Sequence, residues 1–164
     1  MGNTADGKPA KPPVSLTKKQ KTLITKNWYK HIHKDEFIGA KFFDQMFSES
    51  PESKDAFGIF AEINVKDDHY NEVLHRHGSR VKGAVGKVVE AISSHKDYSL
   101  YIHKLGCRHY KEYKFDPQYI QVLLSYFLIA IKEAMADDWS DEIKQAFTIL
   151  FEIVSFYMLN SVSH

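Results

Sequence analysis

The sequence predicts an all-α fold of seven or eight helices, from three observations. Apolar side chains recur three or four residues apart, which is the spacing of one helix face. The clearest run consists of Leu74, Val81, Val85, Val88 and Ile92. No stretch alternates polar and apolar residues for long enough to be a strand. The chain has 164 residues, of which 43% are hydrophobic, so one domain can bury a sizeable core.

The first three helices have recognisable beginnings and ends. Thr17 and Gln20 form a capping box that begins the first helix, which we expect to run to about His33. A second helix follows from near Asp35. Pro51 ends it and suits the first turn of a short third helix, because proline lacks the N–H that a helix interior needs.

The second half of the chain alternates long helical stretches with short breaks. A helix is predicted over about residues 69–92, and a polar break follows at 93–97. The next helix ends near Glu112, and Pro117 begins another. Ser140 is the predicted N-cap of the last helix, because its hydroxyl can accept a hydrogen bond from the first turn.

Two glycines inside helices predict a close helix contact. A glycine costs about 1 kcal/mol relative to alanine in a helix interior, so its presence needs a reason. The missing side chain of Gly78 would make room for the backbone at Gly39 in the second helix. The alternative is that Gly78 is an ordinary glycine on an exposed turn.

Composition and charge exclude several classes of protein. The net charge is +1 with acids and bases intermixed, which argues against a nucleic-acid surface. No apolar run reaches the ~18 residues of a membrane span, and no signal peptide is recognisable. The one cysteine, Cys107, cannot form an intrachain disulfide, so we expect a reducing, cytoplasmic location. A monomer or weak oligomer is expected, since nothing in the sequence argues for a stable dimer.

The chain is predicted to be one domain between two tails. We expect a disordered tail over residues 1–14, the domain over 15–160 and a short tail over 161–164. No second domain boundary is visible, so a fused reductase or signalling domain is not expected.

Gly2 raises the hypothesis of N-myristoylation. The motif requires Ser or Thr at position 6, where this chain has Asp6. The alternative is an unmodified tail, and mass spectrometry of the natural protein distinguishes the two. No membrane contact is expected unless Gly2 is acylated.

Two histidines lie on the apolar stripes of two long helices. His77 belongs to the run that continues through Val81 and Val85, and His109 closes a run through Ile102 and Leu105. Each alone reads best as a core histidine satisfied by a nearby carbonyl. The pair, aimed at one interior, is the arrangement that a flat iron porphyrin requires.

The neighbours of these histidines suit a haem. His109 can hydrogen-bond the carbonyl of Leu105 one turn back, and Leu105 would pack on the proximal face. Val81 and Phe43 would lie on the face of His77.

The ring edge has its own candidate contacts. Phe57 would lie on a pyrrole ring, and Phe115 would cover the ring edge above Ile120 and Leu123. Arg80 could reach a propionate. The alternative is ordinary core packing for each aromatic residue and a solvated helix face for Arg80.

Other metal sites are not expected. His31 and His33, like His75 and His77, are two residues apart, and such side chains diverge by about 200° on a helix. Neither pair should therefore chelate one ion. Cysteine pairs and the His-Glu-x-x-His pattern of zinc proteases are absent from the sequence.

Several segments together resemble the globins across residues 15–160. Residues 77–81 read His-Gly-Ser-Arg-Val and residues 105–109 read Leu-Gly-Cys-Arg-His, and the two histidines are 32 residues apart. Further residues match the globin pattern in the same order along the chain: Trp28 of the first helix, the pair Gly39 and Gly78, Pro51, and the pair Phe57 and Phe60. The proximal segment and the histidine spacing are closest to the neuroglobin and cytoglobin branch.

The resemblance implies a three-over-three helical sandwich around haem b, with His109 as the proximal iron ligand and Phe60 in the pocket. His77 is then distal and a possible sixth ligand of the iron. Tyr113 stands near the place where many globins offer a polar propionate partner, so that contact is an open expectation. Lys82 and Gly83 stand where vertebrate globins are more apolar, and residues 61–68 have no firm match.

Three functions compete. The first is reversible binding of O2, CO or NO at haem iron, with neutral His77 as a hydrogen-bond donor. The second is a redox role, such as NO dioxygenation, nitrite reduction, peroxidase-like activity or electron transfer, and it needs an external reductase. The third is a helical interaction protein with no cofactor, which predicts a colourless preparation.

Overall fold

The molecule is all-α, as the sequence predicts. The structure is a computed structural model that describes residues 7–113 and 116–161, without the side chains of Ile59, Glu112 and Tyr113. Within those residues it contains eight α-helices and no β-strand. The helices are α1 (Lys18–Asn27), α2 (Ile38–Glu49), α3 (Pro51–Ala56), α4 (Gly58–Ala61), α5 (Tyr70–Ser93), α6 (Ser99–Tyr113), α7 (Tyr119–Met135) and α8 (Asp141–Ser161).

The six long helices form two layers of three. α2 crosses α5 and packs along α7, α6 packs on α8, and α1 contacts both α5 and α8. These pairings place α1, α5 and α6 over α2, α7 and α8, while the short α3 and α4 connect α2 to α5. The three-over-three arrangement implied by the resemblance is confirmed.

The predicted helix starts are largely confirmed. The backbone N–H of Gln20 donates to Thr17 Oγ1 at 3.1 Å, and the Thr17 N–H donates to Gln20 Oε1 at 2.9 Å. Pro51 is the first residue of α3, and Ser140 Oγ accepts the Ile143 N–H at 3.3 Å. Local side-chain chemistry therefore determines where α1, α3 and α8 begin.

The first helix ends differently from the prediction. Instead of continuing as α-helix to His33, the chain adopts a π turn over Trp28–Ile32, whose last hydrogen bond joins the His33 N–H to the Trp28 carbonyl at 2.8 Å. Such single-turn insertions are rare and occur often at functional sites. The turn carries the Trp28 ring into the core, where it is 1% exposed.

Lys82 holds the end of this π turn. Its ammonium donates to the carbonyls of His33 at 2.9 Å and Asp35 at 2.7 Å, which satisfies groups that the helix end leaves without partners. Burial lowers the pKa of Lys82, while the carboxylates of Asp35 and Glu36 act in the opposite direction. These contacts explain why a lysine interrupts the apolar pattern after Val81.

The predicted contact between Gly39 and Gly78 is present where α2 crosses α5. A Cβ atom on Gly39 would overlap the carbonyl carbon and oxygen of Gly78. A Cβ atom on Gly78 would lie 2.6 Å from the backbone nitrogen of Ala40. The two backbones touch directly, so neither position has room for a side chain.

The core centres on large aromatic side chains between the two layers. The largest fully buried ones are Trp28, Phe42, Phe43, Phe60, Phe127 and Phe147. Phe42 stacks on Phe127 with ring centroids 4.7 Å apart, and Phe127 meets Trp28 edge to face at 6.1 Å. The same aromatic chain therefore links the π turn after α1 to α2 and α7.

The segment Tyr119–Asp138 differs from the expectation that no apolar run is long enough to span a membrane. Among the described residues it is the one helical segment long and apolar enough to cross a membrane by length and composition, although the sequence reading found none. It packs against α2 and α8, with Phe127 and Ile131 fully buried. The core therefore accounts for one face of the segment, since a third of it is buried.

The corner before α8 is strained and tied to the π turn. Ala136 has φ +48°. This left-handed conformation is unfavourable for any residue that has a Cβ atom. Two residues further on, the carboxylate of Asp138 accepts a hydrogen bond from Lys30 Nζ at 2.7 Å and lies 2.8 Å from His31 Nε2. These contacts hold the corner against the end of α1.

The described part of the N-terminal tail lies against the domain. Pro9 is buried, and the charges of Lys8 and Lys11 contribute to lowering the pKa of Asp97, after the larger effect of hydrogen bonds from Ser99. Residues 1–6 and 162–164 lie outside the described residues. The division into tails and domain stays a prediction.

Candidate cofactor site

His109 is positioned by α6 with one nitrogen already engaged. Its Nδ1 lies 2.9 Å from the carbonyl oxygen of Leu105, as helical spacing predicts. A carbonyl only accepts hydrogen bonds, so Nδ1 carries the proton and Nε2 carries the lone pair. That tautomer is the one in which a histidine acts as a metal ligand, with its orientation fixed by the second nitrogen.

His77 lies on α5 among aromatic rings. Its ring centroid is 5.3 Å from that of Phe43 and 5.4 Å from that of Phe60. Its Nδ1 is buried and has no hydrogen-bond partner among the described residues. A buried nitrogen without a partner costs about 1–3 kcal/mol, so this arrangement is unfavourable unless something else occupies the pocket.

Burial is the main cause of the protonation state of His77. It lowers the pKa of His77 to about 4, and smaller electrostatic contributions from His109 and Arg80 act in the same direction. His77 is therefore neutral at pH 7, with a lone pair available to a metal or an N–H available to a ligand.

Phenylalanines from α2 and the α3–α4 corner form one wall. The Phe43 ring contacts those of Phe57 at 5.6 Å and Phe60 at 5.4 Å, and Phe57 and Phe60 are both buried. Phe47 joins them, with its ring 5.0 Å from Phe60. Tyr119, at the start of α7, also contacts this wall, with its ring centroid 6.4 Å from that of Phe57.

Phe47 and Tyr119 are not among the site residues predicted from the sequence. The signal for Phe47 was present, because it lies four residues after Phe43 on the same helix face. Tyr119 is brought to the wall only by the position of α7, which no local pattern reveals.

The remaining candidate residues occupy the expected kinds of position. Ile120 is buried, while Val81, Leu105 and Leu123 are half-buried. Arg80 is exposed, three residues after His77 on α5, and its charge contributes to lowering the pKa of His77. Their contacts with a cofactor stay predictions.

Two candidates fall outside what the structure describes. Phe115 lies in the gap between α6 and α7, and the side chain of Tyr113 at the end of α6 is not among those described. Their predicted contacts with a haem stay predictions.

The histidine pairs two residues apart diverge as expected. His77 points to Phe43, whereas His75 is exposed and lies against the Phe37 ring at 5.3 Å. His31 meets Asp138, whereas His33 lies against Tyr29. No group of three or more His, Cys, Asp or Glu side chains suited to a metal ion occurs in the described part of the chain.

These residues fit an iron porphyrin. His109 presents the lone pair of Nε2, and His77 presents a half-buried imidazole whose buried Nδ1 has no hydrogen-bond partner among the described residues. Phe43, Phe57 and Phe60 supply an apolar wall, and exposed Arg80 supplies a cation three residues after His77.

Comparison with known proteins finds similarity over most of the chain. The family model described as Globin matches residues 40–158. A curated relative, cytoglobin-1 of Oryzias latipes, is 26% identical over 140 residues, covering 85% of this chain and 79% of the relative. An anaerobic nitrite reductase of Gossypium hirsutum is 33% identical over 141 residues, covering 80% of this chain and 81% of the relative. Hemoglobin subunit zeta of Homo sapiens is 28% identical, covering 87% of this chain and 94% of the relative.

Proposed function

The chain belongs to the globin family, and from that premise we propose that it reversibly binds O2 or another diatomic gas, such as CO or NO, at the iron of a haem b. The observation that supports this proposal is the pair of imidazoles: His109, whose Nδ1 lies against the Leu105 carbonyl, and His77, which lies among the rings of Phe43 and Phe60. Haem supplies an iron that binds such gases. The Leu105 carbonyl keeps His109 in the tautomer that can ligate it.

We further propose that His77 is the sixth ligand of the iron in the absence of gas. Its lowered pKa keeps it neutral, and no described residue satisfies its Nδ1. External gas would then compete with His77, so the apparent affinity would fall with the fraction of open sites.

The visible spectrum of the deoxygenated ferrous protein tests both proposals. We expect sharp split bands, typical of six-coordinate iron, and their conversion to one broad band in His77→Leu. His75→Leu is the matched control, because that histidine is exposed on the same helix. A broad band in the wild type would overturn ligation by His77. Failure to take up haemin, or no spectral change with CO, would overturn gas binding.

A redox role is the second candidate, favoured by the relative named as a nitrite reductase. It requires a separate reductant, such as an external reductase. Anaerobic mixing of nitrite with the ferrous protein distinguishes the two functions. Oxidation of iron in step with nitrite loss supports the redox role, whereas a spectrum that stays ferrous supports gas binding alone.

The remaining proposals concern the cellular context. We propose a cytoplasmic location, since Cys107 is the one cysteine and cannot form an intrachain disulfide. We also propose a monomer or weak oligomer. Acylation of Gly2 would add a membrane contact, and it stays a prediction because residues 1–6 lie outside the described residues.

A further inference from the structure

An open groove of about 600 Å³ lies between the π turn and α5, separate from the histidine pocket. Ser79, Lys82, Gly83 and Gly86 line it from α5. At 100° per residue these positions lie roughly 140–240° around the helix from His77. The groove therefore occupies the face of α5 that points away from His77.

Two glycines leave the floor of the groove without side chains. A Cβ atom added to Gly83 would meet no atom within 4 Å. A Cβ atom on Gly86 would lie 3.4 Å from Cζ2 and 3.7 Å from Nε1 of Trp28. The nitrogen-bearing edge of the Trp28 indole therefore reaches the floor.

Trp28 brings a polar group to this floor that the protein does not satisfy. The residue as a whole is 1% exposed, and its indole N–H makes no hydrogen bond with the described residues, so this edge faces the groove. An acceptor that enters the groove can therefore take the place of water at this N–H. Lys82 also lines the groove, and its two hydrogen bonds leave one of its three ammonium N–H groups for a ligand.

The other lining residues limit the ligand further. Tyr29 and His33 form an edge-to-face pair on the wall, with ring centroids 5.4 Å apart, which suits a flat ring. Glu36 and Glu90 also line the groove, and their carboxylates would repel a multiply charged anion. The volume is within the range of pockets that bind small molecules.

We propose that this groove binds a small, planar organic acid with one negative charge. The carboxylate accepts hydrogen bonds from the Trp28 indole and the Lys82 ammonium. The ring lies on the floor at Gly83 and Gly86, beside Tyr29.

Titration of the full-length, CO-bound ferrous protein with 2-naphthoate tests the proposal by ¹H–¹⁵N NMR. The chain has two tryptophans, so Trp139→Phe assigns the two indole signals. We expect saturable movement of the Trp28 indole signal, no movement of the Trp139 signal and an unchanged haem spectrum. The uncharged 2-acetylnaphthalene and the doubly charged naphthalene-2,6-dicarboxylate should each bind at least about tenfold more weakly.

Gly83→Leu supplies the decisive variant, because its side chain enters open space and should fill the groove without a clash. We expect it to weaken 2-naphthoate binding by at least about tenfold, with the spectrum of the CO complex unchanged. Asn71→Leu, exposed on the same helix outside the groove, should bind as the wild type does. A Trp28 signal that does not move at concentrations of about 1 mM, or equal binding by Gly83→Leu, would overturn the proposal.

Discussion

The chemistry of the site depends on single nitrogen atoms and what each one meets. In His109 the Leu105 carbonyl decides which nitrogen holds the proton, and so which one is left to bind iron. For His77, no described residue determines which nitrogen is protonated, because its Nδ1 has no hydrogen-bond partner among them. His109 is therefore oriented by its own helix, whereas His77 is held mainly by the rings of Phe43 and Phe60.

Stability of the haem-free protein should depend on pH through His77. Its pKa falls from 6.5 to about 4 on folding, so between these pH values the unfolded chain binds a proton that the folded chain does not. Above about pH 6.5, His77 is neutral in both states and does not change the free energy of unfolding. As pH falls towards 4, protonation of the unfolded chain lowers the free energy of unfolding by up to about 3 kcal/mol. Urea unfolding at pH 7 and pH 5 measures it. His77→Gln, which cannot take up a proton, should lose less stability over that interval, and an equal loss would contradict the assignment.

At the scale of elements, the contact between α2 and α5 depends on two glycines. The backbones of Gly39 and Gly78 touch without an intervening side chain, and this brings Phe43 on α2 next to His77 on α5. The geometry of the pocket is therefore set by the helix crossing as much as by side-chain packing.

Gly39→Ala should destabilise the protein strongly, by about 3 kcal/mol or more, because the new methyl group would force the two helices apart. Gly83→Ala is the matched control. It lies in α5 with open space around it, so alanine should raise stability by up to about 1 kcal/mol through helix propensity. Denaturant midpoints measure both changes. Similar effects of the two substitutions would show that the helix crossing has room to relax.

The sequence was most informative where structure depends on neighbours along the chain. The capping box at Thr17, proline at Pro51 and the Leu105–His109 hydrogen bond are all local patterns, and all are confirmed. The glycine pair was also predictable, because a helical glycine needs a reason.

Features that depend on distant contacts were not predictable from local patterns. The end of the π turn is stabilised by Lys82, which binds the carbonyls of His33 and Asp35, 49 and 47 residues away in the sequence. The positive φ of Ala136 lies beside Asp138, whose partner His31 is 107 residues away. No periodicity in the sequence encodes such pairings, so the end of α1 was placed as ordinary helix.

At the scale of the whole molecule, the pocket joins elements from both layers. His77 and His109 come from α5 and α6 in one layer, whereas Phe43 and Tyr119 come from α2 and α7 in the other. A cofactor bound between these residues would favour the assembled fold over the unfolded chain, because the unfolded chain has no such site.

Removing haem should therefore lower the stability of the entire domain. At haem concentrations about 1,000 times the dissociation constant, binding adds about 4 kcal/mol to the free energy of unfolding. We expect the thermal midpoint to rise on adding haemin, and the rise to be much smaller in His109→Ala. Circular dichroism of the loaded and haem-free forms measures it. An equal rise in the variant would mean that His109 is not the main attachment.

The seam between α2 and α5 also restricts how a gas molecule reaches the interior. Where the backbones at Gly39 and Gly78 meet, there is no side chain to swing aside and no gap to widen. We therefore expect small molecules to enter elsewhere, and the half-buried Val81 and exposed Arg80 form a more accessible part of α5 than the crossing at Gly78.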